Sequence, residues 1–335
     1  MTTSAIQPAV VRPNLLGRAT RAAQRCAREL WAWSRHDRGR FPTVSQLTSS
    51  IAALSALDAA VAEESDSEAP IFVLSTGMRT GSTLLQRILV TDPRLLLWGE
   101  PMGQMAVVSR VAEMLSDSLS SDFLRYWQEQ QPSPASPKLS ESWIALLHPP
   151  AEDFRSALRS LFDTWLGQPA RRHGFARWGF KGIRSGAANA VLLHWLYPHA
   201  KFVLLSRHPY DCYLSFADTG WPDHFVRHPH LRVNSAASFA SEWNRIAMSW
   251  SELPEDFPAL RVKYEDLVSG NFDFRSFESW LGVNLKESDA LSVSVGHSAI
   301  RTRLRWYERW ILAREAAPGM RALGYSVTGM NGNHS

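Results

Sequence analysis

A chain of 335 residues that is 45% hydrophobic and 20% charged has the apolar material for one large α/β domain or two small ones, in the proportions of an ordinary globular protein. Two cysteines, Cys26 and Cys212, with no Cys/His cluster at zinc spacing, exclude a disulfide framework and a structural zinc module. The net charge of +4 is concentrated in residues 1–40, where eight arginines face Glu29 and Asp37, and this excludes a general nucleic-acid binder, whose basic residues would spread over a binding face.

No apolar run approaches the roughly 20 residues that span a bilayer, and the Arg-rich start lacks the apolar segment of a signal peptide. With so few cysteines, the chain is read as cytoplasmic. Over residues 14–35, Leu15, Ala19, Ala22, Cys26, Leu30 and Trp33 recur at spacings of three and four, which predicts one amphipathic helix with arginines on its other faces. The helix is read as packing on the domain, with contact to a membrane surface or an acidic partner as the alternative. A second helix is expected over Val44–Val61, and the acidic "AEESDSEA" (Ala62–Ala69) reads as a linker. Residues 1–69 are thus expected to form a helical N-terminal extension and 70–330 the main domain.

After Pro70 the apolar segments alternate as in a parallel α/β sheet. Strands are expected at Ile71–Ser75, Trp178–Gly182, Phe202–Ser206 and Leu260–Val262, and helices at Ser82–Val90, Ser185–Leu196, Pro209–Phe216 and Ala236–Trp250. "QPSPASP" (Gln131–Pro137) breaks the helical stretch between the first two strands and reads as a surface loop.

The most specific stretch is "FVLSTGMRTGSTLLQRIL" (Phe72–Leu89), an apolar strand, a Gly-bracketed loop and a helix. A nucleotide-triphosphate loop needs G-x-x-x-x-G-K-[ST]. Here Gly77 and Gly81 stand one residue closer, and Ser82 occupies the lysine position. Backbone N–H groups at such a turn still suit a phosphate, and Arg79 supplies positive charge from inside the loop. A plain Gly-rich turn would not need the hydroxyls of Thr80, Ser82 and Thr83.

This block resembles the 5′-phosphosulfate loop of sulfotransferases that use 3′-phosphoadenosine 5′-phosphosulfate (PAPS), in which bacterial, carbohydrate and tyrosyl-protein members carry P-R-S-G-T-T-L-L. Here it stands as M-R-T-G-S-T-L-L (Met78–Leu85), with Met78, Thr80 and Ser82 as departures. The resemblance implies a three-layer, P-loop-like α/β fold with a central parallel sheet flanked by helices. It also implies a donor site formed by Arg79, Thr80, Gly81, Ser82, Thr83 and Leu84, with Arg79 bridging the sulfuryl group and the 5′-phosphate. "KFVLLSRHPYDCYLSF" (Lys201–Phe216) resembles the family's 3′-phosphate segment and assigns that role to Arg207 and Ser215. Arg207 leaves the carboxyl end of a strand, where open α/β sheets place ligands, and its fork suits a phosphate. Pro209 opens the next helix. "RVKYEDLVSG" (Arg261–Gly270) and "LGY" (Leu323–Tyr325) also resemble the family and read as structural.

Sulfuryl transfer needs a base for the acceptor proton and cations where negative charge develops. The family resemblance implies a Glu base at Glu100, in "LLLWGEPMG" (Leu95–Gly103); the alternative is a cap for a helix beginning near Gly103. Lys181, in "WGFKGIR" (Trp178–Arg184), is implied to stabilise the transferring group, with Arg184 able to share the role. His194 and His199 read as surface or cap residues. His224, His228 and His230 lie in Asp218–His230, read as a mobile acceptor lid and not a metal site. The expected reaction moves sulfuryl from PAPS to a hydroxyl of a small-molecule, glycan or lipid acceptor with no metal. A small-molecule kinase with a degenerate loop and a non-catalytic nucleotide-binding module are the alternatives.

Overall fold

The structure is a computed structural model that describes residues 15–34, 44–55, 68–101, 106–118, 149, 151–218, 233, 235–270, 272–286 and 303–327. The Pro-rich loop at 131–137 and the expected lid beyond Asp218, including its three histidines, lie outside the described residues.

Among the described residues, five parallel strands form one sheet in the order β2-β3-β1-β4-β5. They are β1 Ile71–Ser75, β2 Leu95–Trp98, β3 Arg177–Ile183, β4 Lys201–Ser206 and β5 Ala259–Lys263. All four pairings are parallel, so the chain must cross over between neighbours and both sheet faces are covered by helices. β2 has no counterpart among the expected strands. Its four-residue apolar run, Leu95–Trp98, gains strand character by pairing with Arg177–Phe180 at the sheet edge.

Side-chain alternation divides the core between the two faces. Phe72, Leu74, Phe180, Phe202 and Leu204 point into one apolar cluster, and Ile71, Val73, Leu97, Val203 and Leu205 into the other. The first face is covered by α2 (Val44–Ser55), α4 (Val107–Ser118), α5 (Ala151–Phe162) and α7 (Ala187–Leu196). The second is covered by α3 (Ser82–Leu89) and α11 (Phe274–Leu281). A third cluster joins α8 (Pro209–Asp218), α9 (Ala236–Ser249) and α12 (Trp306–Ala322) beyond the carboxyl end of the sheet. α5 runs through a π-turn at Asp163–Gly167 into α6 (Gln168–Arg172); Pro169 lacks the N–H that a regular helix would need there.

Both N-terminal helices pack on this body. Leu47 and Leu54 of α2 are fully buried in the first cluster, and the Val44 N–H reaches Glu252 Oε2 at 3.2 Å. α1 (Leu15–Ser34) lies against α9 and α12. Its inward face differs from the stripe expected from spacing: Leu30 is 38% exposed, whereas Glu29 is buried and accepts from the Ala236 N–H at 3.0 Å. An N-terminal helix N–H without an intrahelical partner outweighs the apolar pattern, because a carboxylate satisfies both the donor and the positive helix end. Burial raises the Glu29 pKa above the usual carboxylate value, and the Ala236 hydrogen bond opposes this.

Candidate active site

β1 delivers the chain at the carboxyl edge of the sheet into the loop Thr76–Gly81, and α3 starts at Ser82. Gly81 is the helix N-cap at φ 87°, a conformation that favours glycine, and it caps nothing with a side chain. The N–H groups of Ser82 and Thr83 therefore stand at the uncapped helix start, whereas those of Leu84 and Leu85 donate to the Gly81 carbonyl at 2.9 and 3.1 Å. A Cβ at Gly81 would collide with the Tyr264 ring, so this glycine is also required by close packing.

The hydroxyls of the loop divide by role. Thr80 is fully buried and its Oγ1 donates to the Gly77 carbonyl at 3.2 Å, as does Ser75 Oγ at 3.2 Å, so these two fold the loop. Ser82 is buried, Thr83 is exposed, and Leu84 is half-buried with its side chain against the second apolar cluster. At this loop, Ser82 and Thr83 offer hydroxyls at the helix start, while the Leu84 N–H is taken up by the Gly81 carbonyl at 2.9 Å.

Arg79 is exposed and takes the left-handed conformation, φ 64°. For a residue with a Cβ this costs on the order of 1–3 kcal/mol and persists only where neighbours determine it. They do: Arg79 Nε donates to Ser215 Oγ at 2.9 Å, and its carbonyl accepts from Arg207 Nη1 at 3.1 Å and faces Cys212 Sγ at 3.7 Å. Arg79, Arg207 and Ser215, drawn from two segments more than a hundred residues apart in sequence, thus form one cluster.

Arg207 follows β4 and is held from behind. Its carbonyl accepts from Trp243 Nε1 at 3.2 Å, and its guanidinium lies 4.3 Å from the ring centroid of Tyr264, a cation–π contact. Tyr264 opens α10 (Tyr264–Ser269) directly after β5, so one ring abuts Gly81 and supports Arg207. The spacing of "KYEDL" contains no sign of this, because the ring reaches the loop only through the β4–β5 pairing. The next residue, Glu265, accepts from the His208 N–H at 2.8 Å and from Tyr325 OH at 3.1 Å, and Tyr325 OH also contacts Ser206 Oγ at 3.0 Å. That network makes the "LGY" segment a brace for the end of β4. Burial lowers the His208 pKa and raises that of Tyr325.

On the other side of the loop, Lys181 projects from β3 onto the α3 face. Its Nζ donates to Glu100 Oε1 at 2.8 Å and lies 3.4 Å from Thr83 Oγ1. β2 brings Glu100 there: Trp98 is in register with Phe180, so the chain leaving β2 passes beside Lys181. Lys181 is buried, and Glu100 keeps about a third of its side chain exposed, 32%. Glu100 is therefore engaged with Lys181, and the region of the expected cap near Gly103 lies outside the described residues.

Two neighbouring expectations change. Arg184, at φ 64° past the end of β3, turns to form a buried ion pair with Glu242 of α9. Arg245 stands beside that pair, its pKa lowered to about 10 by burial despite the pull of Glu242. His194 is not a surface or cap residue: it is packed edge-on against Phe202 and Phe257, its Nδ1 buried without a hydrogen-bond partner, and burial lowers its pKa. The apolar rings that pack against the end of α7 cover its Nδ1. His199 is exposed. Among the described residues no group of three or more His, Cys, Asp or Glu side chains could hold a metal ion.

Solved structures similar to this chain include a sulfotransferase from Alicyclobacillus acidocaldarius, 17% identical with TM-score 0.40, covering 78% of this chain and 95% of that one. The sulfotransferase domain from the curacin biosynthetic pathway is 16% identical with TM-score 0.43, covering 77% and 98%. The sulfotransferase domain of the Synechococcus PCC 7002 olefin synthase is 19% identical with TM-score 0.34, covering 81% and 94%. No curated protein matches the sequence. The family assignment rests on the sequence match alone: the model of the sulfotransferase family matches residues 70–283, nearly two thirds of the chain, and that span runs from the start of β1 past α11 and contains every residue of the cluster just described, so the chain belongs to the sulfotransferase family.

Proposed function

We propose that the protein transfers the sulfuryl group of PAPS to an acceptor hydroxyl, giving a sulfate ester and adenosine 3′,5′-bisphosphate (PAP). The observation that carries this reading is the joined pair of cationic blocks: Arg79 bonded to Ser215, and Arg207 bonded to the Arg79 carbonyl. Two anionic groups at the two ends of one nucleotide would suit that arrangement. Arg79, the N–H groups of Gly81 to Thr83 and the Ser82 and Thr83 hydroxyls would hold the 5′-phosphosulfate, and Arg207 and Ser215 the 3′-phosphate. PAPS would supply the sulfuryl group on a phosphate leaving group.

Glu100 would take the acceptor proton as the acceptor oxygen bonds to sulfur, while the electron pair of the breaking S–O bond passes to the phosphate oxygen. Lys181 and Arg79 would stabilise the charge gathering there. A Lys181–Glu100 pair supports this division, since it holds base and cation beside the helix that starts the loop. No metal is required by the reading, because the fixed cations carry the charge.

The acceptor would be a small molecule, a glycan or a lipid, and the compartment cytoplasmic. The alternatives, a small-molecule kinase and a nucleotide-binding module without turnover, lack support from the loop, where Ser82 replaces the lysine of a triphosphate site. Calorimetric titration in EDTA decides first: PAP binding without divalent metal is expected, and binding of ATP with magnesium but not of PAP would overturn the reading. Turnover of radiolabelled PAPS over a panel of hydroxyl acceptors then separates an enzyme from a binding module.

A further inference from the structure

β2 is a four-residue strand at the sheet edge, and among the described residues it pairs only with β3. So short an edge ladder holds its own end weakly. Glu100 nevertheless leaves β2 just past Trp98 and is met by Lys181 Nζ at 2.8 Å. The point where the chain departs from the strand is fixed from outside the ladder.

Two side-chain hydrogen bonds do this, and they involve the last two residues of the strand. Gln86 Nε2 of α3 donates to the Leu97 carbonyl at 2.7 Å. Trp98 Nε1 donates to the Leu166 carbonyl at 3.0 Å. The end of β2 is thereby tied both to α3 and to the π-turn Asp163–Gly167.

Gln86 comes one turn after Ser82 and Thr83 on α3, the helix that starts at the Gly-bracketed loop. Within that turn Thr83 Oγ1 lies 3.4 Å from Lys181 Nζ. One helix therefore ends the loop, touches the cation and grips the strand that carries the carboxylate. On the other element, Leu166 is buried in a π-turn, an irregularity that recurs at functional sites. The Trp98 side chain packs against the first apolar cluster, which orients its N–H toward that carbonyl.

We propose that Gln86 and Trp98 are positioning residues for Glu100: their hydrogen bonds fix the outgoing end of β2, so that the carboxylate stays on Lys181 beside the loop. Neither takes part in the bond-making, and the effect of each passes through Glu100. A displacement of about 1 Å at a reacting group costs about a hundredfold in rate, so a strand end that slips is felt in turnover. The consequence for turnover rests on the reaction proposed above; the placement of Glu100 against Lys181 does not.

Gln86→Met keeps the length of the side chain without its donor, and Trp98→Phe keeps a ring without the N–H. Each is read in the full chain by heteronuclear NMR of the lysine ammonium groups, with Lys181, one of five lysines, assigned through Lys181→Arg. In both variants the Lys181 resonance is expected to move toward its position in Glu100→Gln, and an unchanged resonance in either folded variant overturns the proposal. With PAPS and an acceptor, kcat should fall about tenfold or more while PAP affinity stays within about twofold of native. In a Glu100→Gln background the same substitutions should change kcat by less than about twofold. PAP affinity that falls along with kcat, or an equal loss in both backgrounds, overturns the proposal as well, because the effect then bypasses Glu100. A chain that does not turn over PAPS, or a Glu100→Gln with native turnover, counts against the proposed reaction, and the lysine resonance then decides the positioning by itself. Circular dichroism and Tm verify folding, and Trp98→Phe decides if Gln86→Met does not fold.

Discussion

Lys181 Nζ stands 2.8 Å from Glu100 Oε1, an ion pair between residues 81 apart that exists because β2 and β3 run side by side at the sheet edge. The lysine side chain is 9% exposed, so the pair keeps a cation and a carboxylate fixed next to the open helix start. One member can remove a proton and the other can receive charge, and substitution separates the two.

Glu100→Gln retains an acceptor for Lys181 but cannot take a proton. PAP affinity is expected to remain near native while turnover falls about 10²–10⁴-fold, the usual worth of general acid–base catalysis. A phenolic acceptor, acidic enough to need little help, should partly restore the rate. Native turnover of the variant on the physiological acceptor, at neutral and alkaline pH, would remove Glu100 from the reaction.

Arg207→Ala should weaken PAP more than adenosine 5′-phosphate, because only the first carries the 3′-phosphate. Arg207 also holds the Arg79 carbonyl, so a smaller loss for the second ligand is expected too. Calorimetry with both nucleotides reads the ratio, and equal weakening contradicts the assignment.

Gly81→Ala places a Cβ against the Tyr264 ring and forces a left-handed alanine. A loss of stability of about 1–3 kcal/mol is expected from the backbone alone, with PAP binding lost as the loop shifts. Tyr264→Ala in the same chain should recover part of the stability by opening space, though not the support for Arg207. Tyr264→Phe should behave as the native protein, since the ring makes the contacts. Denaturant midpoints of the native chain, Gly81→Ala, Tyr264→Ala and the double variant decide whether glycine and ring are coupled.

Glu29 supplies a pH dependence with a definite sign. Burial raises its folded pKa above the ordinary carboxylate value of 4.5, so its contribution to stability is full below that value and declines as pH rises through the raised one. Glu29→Gln keeps an acceptor for the Ala236 N–H without the charge; it should raise Tm at neutral pH and flatten the profile. Glu29→Ala removes the acceptor and should lose about 1 kcal/mol, as for other helix-start substitutions. A Tm that is equally pH-dependent in Glu29→Gln and in the native chain would assign the effect elsewhere.

The local sequence of this protein determined the parts whose signals are local. The apolar run into β1, the glycines around Arg79, and the strand-to-proline step at Arg207 each lie within about twenty residues, and the strand–loop–helix units stand where those patterns predict them. Strand pairing decided the rest. Leu95–Trp98 is too short a run to declare itself, yet as β2 it carries Glu100 to Lys181. Tyr264 sits in a segment that reads as structural, and only the pairing of β4 with β5 brings its ring under Arg207. Arg184 looks like a free cation beside Lys181 until α9 presents Glu242, and Glu29 looks like the wet face of an amphipathic helix until α9 offers an unpaired N–H. Periodicity reports how a segment meets an average apolar interior; it is blind to a single charged partner that arrives from two hundred residues away.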